Sequence, residues 1–123
     1  MAVQNFRDLI VWQKSMQLAK EVYRLTQKMP KEELFGLTNQ LRRAAVSIFS
    51  NIAEGNGRLS RKEYLHFLSI SRGSKSEVET QLLFCVELGY LQESEIETAL
   101  GLCTDVSKLL GKLISKLKEQ ESF

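Results

Sequence analysis

The last quarter of the sequence carries an apolar repeat that restricts the fold more than any other feature. Between Ile96 and Leu117, apolar side chains recur at alternating steps of three and four residues without a slip. This repeat places one apolar seam along an α-helix, and neighbouring helices must cover a seam of that length. The seam consists of Ile96, Ala99, Cys103, Val106, Leu110, Leu113 and Leu117. The repeat predicts a bundled helix over about 95–119.

Three further segments show helical spacing of apolar residues, at about 9–29, 37–54 and 60–88. Short connectors between consecutive helices favour antiparallel neighbours. No alternating strand pattern competes with these assignments, and a single Pro argues against a turn-rich β fold. We therefore predict an all-α, up-down-up-down antiparallel four-helix bundle that forms one domain over residues 1–123.

The ends of the predicted helices rest on capping and breaking residues. Asp8 is the predicted N-cap of the first helix, and Pro30 stops that helix. Gly55 and Gly57 are expected to end the second helix through positive φ angles. Capping boxes precede the third and fourth helices, formed by Ser60 with Glu63 and by Ser94 with Glu97.

The fourth helix carries a second apolar row outside its seam, made of Leu102 and Leu109. The first helix likewise has an apolar stripe too wide for one neighbour. A helix with two apolar faces in so small a bundle usually has a second partner. We therefore predict that copies of the chain associate and that Leu102 and Leu109 are contacts between them. The alternative is that both are isolated surface leucines.

The sequence offers little material for catalysis or metal binding. Its single His belongs to the pattern Glu63-x-x-His66, which di-iron bundles need twice. Cys85 and Cys103 are expected to lie about 7 Å out of register, as buried thiols and not as a disulfide. Gly55–Arg58 lacks the Gly-Lys-Ser/Thr spelling of a phosphate loop. We expect no enzyme, no metal and no cofactor.

Polar side chains run beside the apolar stripes of the second and third helices. If the two rows face each other, Arg43 and Glu77 form a partly buried ion pair. The favoured interpretation is a network that fixes register between helices or subunits, and the alternative is a ligand site. An enzyme or metal protein built on Glu54 and Glu77 is the least favoured hypothesis. The rows are Gln40, Arg43, Ser47, Asn51 and Glu54, and Ser74, Glu77 and Gln81.

Charge is distributed unevenly, although the whole chain carries only +2. Residues 1–62 hold a net charge of +6 and residues 63–123 one of −4. In an up-down bundle, the second loop and both termini share one end, with a net charge of +2. The opposite end has −4 and the shaft between them +4, so the molecule is expected to be acidic at the two outer loops and basic elsewhere. A basic patch at the end that carries +2 would bind nucleic acid weakly and with strong salt dependence. Its candidate residues are Arg58, Arg61, Lys62, Lys108, Lys112 and Lys116.

Several motifs, in order, resemble one family over about residues 6–117. The family consists of bacterial four-helix-bundle proteins encoded within intervening sequences of large-subunit ribosomal RNA genes, often labelled ribosomal-protein-like. The accessory variability proteins of diversity-generating retroelements are similar. The motifs are Asp8-Leu-Ile-Val-Trp-Gln-Lys14, Gln40-Leu-Arg-Arg-Ala-Ala-Val-Ser-Ile48, Asn51-Ile-Ala-Glu-Gly55, Ser60-Arg-Lys-Glu-Tyr64, Gly73-Ser74 with Glu77, and Glu79-Thr-Gln-Leu82.

The resemblance implies a homopentameric ring of bundles that is cytoplasmic, non-enzymatic and of unassigned role. The retroelement relatives imply nucleic-acid binding and a reverse-transcriptase partner. Ser15 and Ser71 stand where the family pattern leads us to expect Ala. We therefore predict a homo-oligomeric, non-catalytic bundle that binds RNA or DNA, with no membrane association. The alternative is a protein-interaction scaffold without a nucleic-acid role.

Overall fold

The computed structural model describes residues 5–121, and within that range the protein has helices and no β-strand. Short 3-10 turns at Phe6–Asp8, Lys31–Glu33 and Glu93–Ile96 precede three of the α-helices. The α-helices are α1 (Ile10–Thr26), α2 (Leu37–Asn56), α3 (Arg61–Glu87) and α4 (Glu97–Glu121). The predicted all-α class is confirmed.

Each helix packs against two others, α1 and α3 both lying between α2 and α4. Side-chain contacts show the antiparallel register of α2 and α3, because Gln81 meets Gln40 whereas Ser74 meets Ser47. The predicted antiparallel four-helix bundle is therefore confirmed.

The core is aliphatic and follows the predicted seam of α4 as far as Leu110. Beyond it the seam moves by one residue, because Ile114 is buried and Leu113 and Leu117 are only half-buried. A straight α-helix has 3.6 residues per turn and drifts away from a strict seven-residue repeat, which accounts for the shift. Other helices contribute fully buried side chains to the same core, among them Leu18, Leu25, Leu41, Ile48, Ile52, Leu68 and Leu82.

The ends of α1 differ from the prediction. Asp8 lies in the Phe6–Asp8 turn, so Leu9 is the N-cap and makes no side-chain capping bond. The helix ends at Thr26, three residues before the predicted end at 29. The amides of Lys28 and Met29 donate to carbonyls three residues back, at 3.0 and 3.1 Å. The chain thus tightens into a turn before Pro30, which disfavours helical geometry in the residue it follows.

Gly57 caps the end of α2 as predicted, but the predicted positive φ angles and the role of Gly55 are wrong. Helix α2 runs through Gly55 to Asn56, and Gly57 has a φ of −84°. Gly89 is the described glycine with a positive φ, at 78°. Gly55 instead permits close packing of α2 on α3, because a Cβ there would lie 2.9 Å from the Cβ of Phe67 and 3.0 Å from Cδ1 of Tyr64.

Of the two predicted capping boxes, the one before α3 is half confirmed and the one before α4 is wrong. Ser60 Oγ accepts a hydrogen bond from the Glu63 amide at 3.1 Å, which confirms this half of the first capping box. The box predicted for Ser94 and Glu97 is wrong by two residues. The Glu95 carboxylate instead accepts from the Gln92 amide at 2.9 Å. The Glu93–Ile96 turn, which the sequence pattern does not distinguish from α-helix, sets this earlier start, so that α4 begins at Glu97 instead of about 95.

Candidate functional site

One end of the bundle brings together the α2–α3 loop, the start of α1 and the last turns of α4, and we call it the basic end. Two surface grooves lie there on either side of the Phe6–Asp8 turn. The first runs between the start of α1 and α4, where Lys112 and Lys116 line it with Asp8 and Ile10. The second, which we call the aromatic cleft, has a volume of about 670 Å³ and is lined by Phe6, Trp12, Phe49, Ser50, Ala53, Glu54, Gly57 and Arg58.

The six predicted nucleic-acid-binding residues are all exposed. Arg58 lies in the α2–α3 loop, and Arg61 and Lys62 follow in the first turn of α3. Arg58 forms an ion pair with Glu54, whereas the other five have no ion-pair partner within residues 5–121. Lys108, Lys112 and Lys116 lie at successive turns of α4, and the last two border the start of α1.

Several contacts hold the α2–α3 loop in place. The Arg58 guanidinium lies over the Phe67 ring, 4.7 Å from its centroid, while Glu54 pairs with it from the last turn of α2. The Asn56 side-chain amide donates to the Tyr64 hydroxyl at 3.3 Å. Burial raises the pKa of Tyr64 above its usual value. Arg58 is therefore oriented by partners on both helices.

The aromatic cleft was not predicted from the sequence. Trp12 packs edge-to-face with Phe6 at a centroid distance of 5.3 Å and with Phe49 at 6.4 Å. All three rings are half-buried. The one available signal was Phe49, which follows Ile48 and so lies off the buried stripe of α2, on its outward side.

The polar rows of α2 and α3 do face each other. Ser74 Oγ and Ser47 Oγ are 2.8 Å apart, and Asn51 Nδ2 donates to Ser47 Oγ at 2.9 Å. Toward the other end, Gln81 Nε2 donates to Gln40 Oε1 at 3.4 Å. The interior of this network therefore consists of neutral hydroxyl and amide groups.

The predicted ion pair between Arg43 and Glu77 is not formed. Both residues are exposed, and the pair is absent among the ion pairs of the described chain. Arg43 lines an open surface groove with Tyr23 of α1 and Ser47 of α2. Glu54 is likewise engaged outside the network, by Arg58.

The predicted role of Leu102 and Leu109 as contacts between copies stays a prediction. Both are half-buried and pack against the core of their own bundle. Large exposed apolar side chains lie elsewhere. At the end of α3, Phe84 is exposed together with Leu88, the residue that follows the helix, and we call these two the exposed apolar face of α3. Leu83 is exposed on another side of the helix, and Ile70 is exposed separately, 14 residues before Phe84.

The residues considered for metal or thiol chemistry are dispersed. His66 is exposed, and no three His, Cys, Asp or Glu side chains of residues 5–121 come together as a metal site. Cys85 and Cys103 are buried free thiols, as predicted. Burial raises the pKa of Cys85 to about 11 and that of Cys103 to about 12, so both are held as thiols. None of the described helices has an apolar stretch that would cross a membrane.

Comparisons with known proteins agree with the resemblance in the sequence. The fold is similar to a crystal structure of a protein of unknown function from the S23 ribosomal protein family of Bacteroides thetaiotaomicron. The two share 25% identity and a TM-score of 0.79, over 85% of this chain and 98% of that one. A comparison with curated proteins gives no significant match. The model of the 23S rRNA-intervening sequence proteins matches residues 7–112. The chain therefore belongs to the 23S rRNA-intervening sequence protein family.

Proposed function

We propose that this protein is a non-catalytic nucleic-acid-binding protein whose basic end contacts the phosphate backbone of RNA or DNA. The observation that carries the proposal is the set of exposed cations without ion-pair partners in the described chain. Arg61 and Lys62 supply two of them at the start of α3, and Lys112 and Lys116 supply two more beside α1. Cations so placed neutralise phosphates and release counterions.

The opposite end of the bundle supports a polyanion approach from the basic side of the molecule. Its charge is −4, against +2 at the basic end. Several of its carboxylates are already engaged, since Lys28 pairs with Glu95 at 2.7 Å and Tyr90 donates to Glu33 at 3.0 Å. A polyanion is attracted to one end and repelled by the other, and this field steers the encounter at low salt.

The family names suggest which nucleic acid to test first. The name of the matched family refers to 23S rRNA, and the Bacteroides protein is described as a member of a ribosomal protein family. Neither description states what those proteins bind. They identify 23S rRNA fragments as the first ligands to test against a DNA of equal length.

A salt titration of binding tests the proposal. Fluorescence anisotropy of a labelled single-stranded oligonucleotide gives the slope of log affinity against log salt concentration. We expect the double variant Arg61→Ala with Lys62→Ala to weaken binding and to reduce the slope by about 1.4, or ~0.7 per lost phosphate contact. The matched control, Lys20→Ala with Lys31→Ala, removes the same charge from exposed sites away from the basic end. An equal effect of both double variants would contradict the assignment of the site.

A protein-interaction scaffold is the second candidate function, and the exposed apolar face of α3 favours it. Phe84 is 51% exposed and Leu88 43%, and both lie near the acidic end. Such a face suits a protein partner or a second copy of the chain. The family resemblance implies a pentameric ring and, through the retroelement relatives, a reverse-transcriptase partner. If the protein acts only as a scaffold through the exposed apolar face of α3, Phe84→Glu abolishes partner binding. The Arg61 and Lys62 variants then leave partner binding unchanged.

A further inference from the structure

We infer that the aromatic cleft binds an unpaired nucleobase, so that the protein prefers single-stranded segments to a continuous duplex. The inference rests on the proposed function for the phosphate contacts that flank the cleft. It adds a distinct site with a distinct ligand group, the flat face of a base. Separate experiments distinguish base binding in the cleft from the phosphate contacts.

The cleft is open to solvent and presents aromatic ring surface to a small planar group. Its volume of about 670 Å³ lies within the range of about 300–1,000 Å³ that is common for ligand sites. Phe6, Trp12 and Phe49 are only half-buried although they pack edge-to-face with one another. Apolar ring surface therefore remains accessible in a concave site, and proteins that bind single strands stack bases on such surfaces.

Polar groups at the same cleft match the rest of a nucleotide. Arg58 lines the cleft, and its guanidinium is held by Phe67 and Glu54, so a cation is oriented there before a ligand arrives. The exposed Ser50 hydroxyl can donate or accept, and the Glu54 carboxylate can accept from an exocyclic amino group. A base, and not an organic cation, is the ligand these groups favour, because Arg58 neutralises the Glu54 carboxylate that would otherwise attract a cation.

The position of the cleft links base binding to backbone binding. Arg58 lines the cleft, and Arg61 and Lys62 follow it by three and four residues at the start of α3. A strand whose base enters the cleft therefore has its phosphates close to these cations. Bases inside a duplex have no free face to stack, so loops, bulges and strand ends are the segments that satisfy both contacts.

Trp12 supplies a direct readout, because it is the only tryptophan of the chain. We expect an unpaired oligonucleotide and adenosine monophosphate to quench its fluorescence saturably, and a blunt duplex of equal length to do so weakly. RNA and DNA versions of one oligonucleotide distinguish the two sources of the base.

Phe49→Ala removes one ring of the cleft and is expected to weaken single-strand binding roughly ten-fold, with a smaller effect on duplex binding. Ala53→Leu fills the cleft without removing a ring and should weaken single-strand binding in the same way. It therefore keeps the test available if Phe49→Ala unfolds the protein. Phe35→Ala, which removes an exposed ring in the α1–α2 connector at the opposite end of the bundle, is the matched control and should change neither quantity.

The outcomes separate this inference from the proposed function. Salt-dependent binding with no change in Trp12 emission and no preference for single strands would overturn the inference and leave backbone binding intact. Saturable quenching by adenosine monophosphate together with unaltered oligonucleotide binding by the Arg61 and Lys62 variant would support the cleft and refute the phosphate site. Quenching by choline but not by the nucleotide would overturn the inference in favour of a cation site.

Discussion

Gly55 shows how a single missing Cβ sets the distance between two helices. At this position α2 meets α3 so closely that any Cβ would contact Phe67 and Tyr64 at 3.0 Å or less. The same two residues support the α2–α3 loop, through the contact of Phe67 with Arg58 and of Tyr64 with Asn56. The glycine therefore determines both the local packing and the position of the α2–α3 loop.

Gly55→Ala is expected to destabilise the protein by about 1–3 kcal/mol, because the new methyl group displaces Phe67 and Tyr64. The matched control is Gly101→Ala, where a Cβ on α4 meets nothing within 4 Å. That change should be neutral or should stabilise by up to about 1 kcal/mol, since Ala favours the helix. Urea denaturation measures both free energies, and a neutral Gly55→Ala would show that the helices can separate at no cost.

The two buried thiols predict how stability depends on pH. The pKa values of Cys85 and Cys103 rise from 9.0 to about 11 and about 12, so the folded state keeps protons that the unfolded state loses. Their stabilising effect is therefore complete below pH 9 and is lost as the pH rises toward 11–12.

We expect the free energy of unfolding to fall by about 1 kcal/mol per thiol between pH 8 and 10. Urea denaturation at the two pH values measures this difference, which should shrink in Cys103→Ala. An aromatic disulfide reagent at pH 8 should react slowly with the native protein and promptly once the protein is unfolded. Prompt reaction of a native thiol would contradict the burial.

At the scale of the helices, one hydroxyl connects α3 to the backbone of α2. Ser71 is fully buried, and its Oγ donates to the Ile48 carbonyl at 2.8 Å. Ser15 is equally buried, but its Oγ donates to Val11, within α1 itself, at 2.7 Å. Both serines stand where the family pattern leads us to expect Ala, although only Ser71 joins two helices.

Ser71→Ala should therefore cost about 1 kcal/mol of stability, the usual net value of an intramolecular hydrogen bond. Ser15→Ala should change stability by less than about 0.5 kcal/mol, because the lost bond is intrahelical and Ala has the better helix propensity. Thermal or urea denaturation of the two variants side by side gives the comparison. Equal losses would indicate that the bond between α2 and α3 adds nothing.

The existence of the helices could be predicted from the sequence, because apolar spacing depends on the residues within each helix. Their ends were predicted less well, since turns and caps compete over a few residues. The Phe6–Asp8 turn displaced Asp8 from the cap of α1, and the Glu93–Ile96 turn displaced the capping box of α4. Gly55 was misinterpreted for a different reason. Its role depends on a neighbouring helix that the local sequence does not reveal.

The candidate site, too, could be predicted from the sequence only in part. Exposed cations such as Arg61 and Lys112 could be predicted from the sequence, because the order of the helices assigns them to one end. The exposure of Arg43 and the half-burial of Leu109 could not be predicted, since both depend on the rotation of a helix about its axis. The aromatic cleft combines Phe6, Trp12 and Phe49, residues far apart in the chain, and only the packing of α1 on α2 brings them together.

At the scale of the whole molecule, the exposed face of α3 predicts association of copies. We expect light scattering to give a mass that is a multiple of 14.1 kDa, with five copies as the family resemblance implies. Phe84→Glu should lower that mass, because a charge on an apolar contact is costly to bury. Leu59→Glu alters a still more exposed apolar residue in the α2–α3 loop and is the control. A mass of one chain at high concentration would refute association.

The lengthwise separation of charge makes each bundle an electric dipole. Within about 10 Å of a nucleic-acid chain at moderate ionic strength, the field turns the bundle before contact. Bundles bound side by side on one strand would then all point their negative tips toward the solvent. Mutual repulsion of these tips would limit how densely the strand is covered, and added salt would relax that limit even while it weakens each attachment.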